Sequence, residues 1–460
     1  MVIRQSSVPG VRWRLAAVAL SAGALFGFAI AVINDALQFV VVQFSLSSVV
    51  SGIVVSGVAA GALVGCLTAG TLADSIGRRA VLIGAGVAAA VGTAASAFAT
   101  DVWVLIAGRV LLGVAVGITT AVAPLYLAEL APPALRGGLI TTYQLSVTLG
   151  ILLALATGVA LTPTENWRAM LAIGLLPAVC QVAALCTVPR SPRYLVRRGH
   201  ADQARRALRR LRPPDEVEEE LAQIAVSHGD PTRTPARDMF GARYRPALIV
   251  GLAAALLNAF CGVGAVIYYS TEVFTIAGVQ GTTGAELASL AVGGMNTAAA
   301  VAAVVLVNRH GRRPLLSVGL GGIIGSLVVA GAALMAPESS ATGIVTVIAI
   351  LVYMAFFAIS AGPLAWLLVA EVFPSRIRAQ GAGLATASNW GANLLIALLF
   401  PVVAGVPAAP ANVAIIFWFF AACSLGFLVF VRRRVPETKD RTLEQIEQDL
   451  HSRSISGSLV

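Results

Sequence analysis

The sequence predicts an all-α membrane protein of twelve transmembrane helices in two six-helix halves, with a cytoplasmic helical linker. Three observations predict it. Of 460 residues, 58% are hydrophobic and only 12% charged, about half the charge fraction of soluble domains. The charges gather in short turns between long apolar runs. Two of those turns also occur twice, in the same order: Gly77-Arg78-Arg79 and then Glu129 to Arg136 (ELAPPALR), and later Gly311-Arg312-Arg313 and then Glu371 to Arg378 (EVFPSRIR). A duplicated, many-span chain with charged turns is the sequence form of a secondary transporter.

Each apolar run is long enough to be a helix. A span needs roughly 20 mostly apolar residues, and a backbone in lipid must satisfy its own hydrogen bonds. In order, the spans start near Leu15, Ser47, Ala80, Val102, Gly138 and Trp167. After a polar interruption they resume near Pro246, Thr283, Pro314, Gly343, Ala379 and Asn412. The division is 1–188 for the first half, 189–245 for the linker, 246–433 for the second half and 434–460 for a cytoplasmic tail. Inside the linker, Ala201 to Leu211 and Asp215 to Ile224 read as short surface helices. The tail is polar, and beyond Leu450 the reading is partial disorder. Glycines such as Gly108, Gly113 and Gly117 share one span and read as packing positions, because small residues let helix backbones approach.

The net charge of +10 does not point to nucleic acid. Arg4, Arg12 and Arg14, then Arg78 and Arg79, Arg136, the run Arg190 to Arg245, Arg309 to Arg313, Arg376 with Arg378, and Arg432 to Arg434 fall in every second connection. The other connections are almost free of basic residues, Arg168 excepted. The positive-inside rule then places both termini in the cytoplasm, in an integral plasma (inner) membrane protein. The cysteines at 66, 180, 186, 261 and 423 lie in apolar runs. They read as an odd, buried set with neither disulfide nor metal spacing. Lys439 is the only lysine, so a phosphate-binding G-x-x-x-x-G-K-[ST] loop is excluded. No cleavable signal segment is evident, the first apolar run being of spanning length. No cofactor is expected.

Several motifs now carry a family. They are Gly108-Arg109-Val110, Pro124 to Glu129 (PLYLAE) with Arg136-Gly137, Pro189 to Leu195 (PRSPRYL), Gly362 to Trp366 (GPLAW), and Pro436 to Lys439 (PETK). In this order, over essentially the whole length, the chain resembles the sugar porter family of the major facilitator superfamily. The resemblance implies the major facilitator fold, alternating access, a monosaccharide or polyol as substrate, no enzymatic activity, and in many members proton symport. A carrier of another small organic solute and a non-transporting sensor are the other readings. A monomer in the lipid bilayer is expected.

Site residues follow from charge and from the resemblance. Asp74, Arg78, Arg79, Glu129 and Arg136 in the first half, and Arg309, Arg312, Arg313, Glu371, Arg376 and Arg378 in the second, sit at span ends. Arginine pairs bidentately with carboxylate and stays charged, so these sets read as a cytoplasmic gate. A gate one pair weaker is expected in the second half, where Asn308 stands at a position usually acidic in related chains. Polar residues inside spans are costly unless partnered and mark function. The resemblance implies substrate contacts at Gln144, Trp366, Asn389, Trp390 and Asn393, with Phe26, Asn258 and Tyr268 lining the same site. In the seventh span, Asn258, Ala259 and Gly264 replace the longer amides usual in the family, so this side reads as less polar and roomier. At Ala29, the family's symporters carry an aspartate that partners an arginine matched here by Arg109. Alanine cannot change charge, so the chain as written reads as uncoupled from protons. Asp35 and Glu272 are the substitute proton carriers, read as solvated acids near the outer ends of their spans.

Overall fold

The structure, a computed structural model, describes residues 10–227, 238–241, 244–279, 283–337, 339–374, 377–405, 408–435 and 437. Among them the regular elements are helices, and twelve stretches are long and apolar enough to cross a membrane. The protein is therefore an integral membrane protein with an all-α fold. Large apolar side chains face outward along the spans, Val42 at 80% exposure and Leu125 at 63% among them. Lipid, not water, is the solvent that such a surface fits.

The first six spans are α1 (Val11–Ala31) with α2 (Ile33–Phe44), α3 (Ser48–Ile76), α4 (Arg78–Ala97), α5 (Val102–Leu130), α6 (Pro133–Leu161), and α7 (Trp167–Ala172) with α8 (Leu175–Thr187). Three short helices follow: α9 (Pro192–Arg197), α10 (Ala201–Arg209) and α11 (Val217–Ser227). The other six spans are α12 (Arg245–Phe260) with α13 (Val263–Ile276), α14 (Gly284–Arg309), α15 (Arg312–Met335), α16 (Ser340–Ile359) with α17 (Ala361–Val372), α18 (Arg378–Ala404) and α19 (Pro410–Arg434). Span starts lie within a few residues of those expected.

Four spans are broken rather than continuous. The break before α13 is at Gly262, whose φ of +92° suits glycine. The break before α17 is at Ser360, with φ −122° and ψ −86°. It is followed by Gly362 and by Pro363, which has no N–H to give. Hydropathy runs through these breaks unchanged, which is why the sequence reads them as single spans.

The chain divides into two compact units. One holds Met1–Ala29, Ala60–Ile151 and Leu171–Thr232. In it α4 packs along α5 and α8. Gly108 lies against Gly92 and Ser96 of α4, and Gly117 lies against the backbone of Ala62 on α3. These are the packing roles expected of small residues in spans. Asp101 caps the start of α5, accepting from Trp103 N at 2.8 Å and Val104 N at 3.1 Å. The other unit holds Ile30–Ala59, Leu152–Met170 and Arg233–Val460. In it α15 packs along α16 and α19, α12 along α17 and α18, and α13 against α2.

The linker forms α10 and α11 where expected, with α9 as an additional helix. Leu195 packs with Ala204 and Ala207, and Leu208 with Val217 and Ile224. Residues 228–237 and 242–243 of the linker, and the tail from 438 on, lie outside the described residues. All five cysteines are free thiols, but Cys180 and Cys186 are exposed. The expectation of a wholly buried set is corrected there: both sit on the outward apolar side of α8, where burial in lipid replaces burial in protein.

Candidate transport site

The first charged cluster is built by three segments. Gly77 separates α3 from α4 at φ +93°, and an added Cβ there would stand 2.9 Å from the Tyr194 ring of α9. That turn points Arg78 back at α3 and across at α5. Arg78 Nη1 lies 3.5 Å from Asp74 Oδ1, and its Nε 3.4 Å from Glu129 Oε1. Glu129 Oε2 also accepts from the Ser191 hydroxyl. Arg197 meets Asp74 at 2.7 Å. The PRSPR segment thus enters the cluster through Ser191 and Arg197, roles the sequence reading missed although it singled the motif out. Arg79 and Arg136 meet backbone carbonyls instead. Arg79 donates to the carbonyls of Leu185 (2.9 Å) and Cys186 (3.2 Å) at the end of α8, and Arg136 to Ala128 O of α5 at 3.1 Å. Both act as cations at helix C-termini, where carbonyls lack partners.

The second cluster repeats the plan with different parts. Arg312 Nη2 lies 3.3 Å from Glu371 Oε1. Gly311 has an ordinary φ of −65°, but an added Cβ would stand 2.5 Å from Glu437 Oε2. Glu437 accepts from the backbone N of Arg312 (2.9 Å) and of Arg313 (3.2 Å). A carboxylate at the start of α15 satisfies orphan N–H groups and complements the helix dipole. Glu437 thus belongs to this charged cluster, a place the sequence reading did not assign although its PETK motif was noted. Arg313 donates to Arg432 O, and Arg309 closes α14. Arg376 and the side chain of Arg378 lie outside the described residues.

Among the substrate candidates, a neutral amide chain forms in the second half. Asn389 Nδ2 donates to Ala255 O at 2.9 Å and to Asn258 Oδ1 at 3.3 Å. Asn393 Nδ2 donates to Asn389 O at 3.0 Å and Asn389 Oδ1 at 3.2 Å. The packing of α12 against α18 brings these three together. Asn389 and Asn393 are buried and Asn258 is half-buried. Trp390 and Tyr268 are buried at 5% exposure each. Trp366 on α17 is half-buried. In the other unit, Gln144 is exposed and Phe26 half-buried. The roomier seventh span is corrected at Gly264. An added Cβ there would stand 2.6 Å from Asn393 Oδ1, so the Asn393 amide already fills that space.

Ala29 on α1 and Arg109 on α5 are both buried, at 2% and 1% exposure. Glu272 on α13 is half-buried. Asp35 is not a solvated acid: it is 2% exposed and packs on Gly158 of α6. Its Oδ1 accepts from Thr271 Oγ1 at 2.6 Å and Asn34 Nδ2 at 2.9 Å. Asn34 Nδ2 also reaches Thr271 Oγ1 at 2.8 Å, and Ser270 donates to Ser289 at 2.9 Å. Gln38 donates to Glu286 Oε1 at 3.0 Å. Hydroxyl and amide donors replace water around the carboxylates, which is the physical reason this reading is revised.

A many-span carrier with duplicated charged turns and neutral polar groups inside its spans is thus defined. Residues 15–450 match the family described as sugar (and other) transporter. The probable metabolite transport protein CsbC of Bacillus subtilis is 36% identical over 432 residues, covering 94% of this chain and 93% of that protein. The arabinose-proton symporter of Escherichia coli K12 is 36% identical over 434 residues, covering 93% and 91%. The partially occluded, inward-open structure of the xylose transporter XylE from E. coli superposes with a TM-score of 0.80 at 28% identity, covering 94% of this chain and 99% of that one. The chain belongs to the sugar (and other) transporter family, and so to the sugar porters of the major facilitator superfamily. It is a transporter and not an enzyme.

Proposed function

We propose that this protein moves a monosaccharide or polyol across the plasma (inner) membrane by alternating access, as a monomer, with both termini in the cytoplasm. The amide chain Asn258–Asn389–Asn393 carries the reading. Its groups are neutral donors and acceptors, the chemistry that hydroxyls need, and Trp366 of α17, a helix packed against α12, is the aromatic candidate. Gln144, exposed on α6, is a separate substrate-contact candidate in the first half. The domain plan is 1–188, 189–245, 246–433 and 434–460.

Two latches alternate in this reading. The inner gate is the pair of charged clusters, Asp74–Arg78–Glu129 and Arg312–Glu371. The outer closure is the cluster of Asn34, Asp35 and Gln38 with Ser270, Thr271, Ser289 and Glu286. Glu286 and Arg309 stand at opposite ends of α14, a helix of 26 residues and thus about 39 Å long. Within the second unit, this separation supports reading Arg312–Glu371 and the Glu286 cluster as gates at opposite ends of the spans.

Proton coupling through the first span is absent, because Ala29 has no proton to carry. The relatives' proton symport sets the contrast. Equilibrium binding to a panel of monosaccharides, polyols and aromatic acids tests the substrate class. Binding confined to sugars or polyols is expected. Binding to aromatic acids alone would instead favour another organic solute, a reading to which the apolar Ala259 lends support.

A further inference from the structure

We infer that Arg212 is a positioning residue of the inner gate: from the linker it grips the carbonyl end of α5 and holds Glu129 where it meets Arg78 and Ser191. The inference rests on the reading of Asp74–Arg78–Glu129 as a gate.

Arg212 is 2% exposed and among the largest fully buried side chains. All five of its N–H groups have acceptors. Nε and Nη2 form a fork on Glu220 of α11, at 2.6 and 3.0 Å. Nη1 donates to Leu130 O at 2.9 Å and to Leu211 O at 3.4 Å, and Nη2 to Ala131 O at 3.2 Å. Leu130 ends α5 and Ala131 is its C-cap. These carbonyls have no partner within the helix, and a cation there is favoured by the helix dipole. The residue before Leu130 is Glu129. One planar group thus fixes the linker and the last turn of α5 to each other, one residue from the gate carboxylate.

A purely stabilising role is the weaker account. Buried ion pairs contribute little net stability, since desolvation offsets the attraction. What they fix is geometry. Lysine could supply the charge but not the fork. The linker also holds a built-in control. Arg205 Nε on α10 meets Glu218 on α11 at 2.7 Å, an ion pair within the linker whose two side chains are both well exposed.

The test uses the full chain in nanodiscs. Distance distributions between spin labels are read across the inner mouth for Arg212→Gln, Arg212→Lys, Arg205→Gln, Glu129→Gln and the Arg212→Gln/Glu129→Gln double variant. Arg212→Gln is expected to raise the inward-open population several-fold. Arg212→Lys should restore it only partly, and Arg205→Gln should leave it unchanged. The double variant should open no further than Glu129→Gln alone, because both act through one carboxylate. A shift with Glu129→Gln but none with Arg212→Gln overturns the role of Arg212 and leaves the gate standing. No shift with either removes the gate reading and this inference with it. Additive shifts, or an equal shift from Arg205→Gln, would show that Arg212 acts only through the linker's fold. If Arg212→Gln fails to fold, the Arg212→Lys variant with and without Glu129→Gln gives the same test of additivity.

Discussion

Gln144 and Trp366 bear the plainest residue-scale expectation. Gln144→Ala should weaken sugar binding several-fold, since one neutral hydrogen bond is worth about 0.5–1.5 kcal/mol. Trp366→Ala should weaken it as well, and both variants should fold. Equilibrium binding checks this, and unchanged affinity in both would move the site. Gly264 gives a sharper case. Gly264→Asn restores an amide at that position, but its Cβ would start 2.6 Å from Asn393 Oδ1. Overpacking of this kind costs about 1–3 kcal/mol, so a lower unfolding temperature is expected. Adding Asn393→Ala should recover most of it; no recovery would mean that the space is not shared. The sequence made Asn389 and Asn393 visible, because an amide inside an apolar run stands out. It did not show that Asn393 fills the room left by Gly264, since that depends on how α13 meets α18. Glu437 and Ser191 were legible only as motif members, because their partners lie far away in the chain.

At the scale of elements, the two Gly-Arg-Arg turns look alike in sequence and differ in physics. Gly77 is held at φ +93° beside the Tyr194 ring. Gly311 has φ −65° and is crowded mainly by the Glu437 carboxylate, with Pro314 Cδ at 3.2 Å from an added Cβ. Gly77→Ala therefore meets both backbone strain, about 1–3 kcal/mol, and a ring contact. Gly311→Ala meets the contact alone. Thermal unfolding should show Tyr194→Ala rescuing Gly77→Ala in part, and Glu437→Ala removing most of the further cost of Gly311→Ala. Equal rescue in both would contradict this assignment. The repeat itself was legible because charge in an apolar chain has few places to go. The breaks at Gly262 and Ser360 were not, because hydropathy is blind to a backbone angle.

For the whole molecule, the arginine asymmetry across connections carries the topology. Cysteines placed in the segment from Pro189 to Arg245 should resist an impermeant reagent in intact, right-side-out cells and react after permeabilisation. Labelling without permeabilisation would contradict the twelve-span arrangement. The fold class was readable from composition, since only helices and closed barrels satisfy a backbone in lipid and these runs are too long for barrel strands. On coupling, the sequence offered only Ala29, a side chain with no titratable group. The cluster around Asp35 was not legible, because its hydroxyl and amide partners include side chains from other spans. The direct test of the account is transport of labelled monosaccharides in proteoliposomes, with and without an inward proton gradient. The account predicts exchange and equilibration in both conditions, with no accumulation above equilibrium, and gradient-driven accumulation once Ala29→Asp restores a titratable group. Accumulation by the unaltered chain would contradict it and direct attention to Asp35 and Glu272, and absence of any exchange would contradict sugar transport itself.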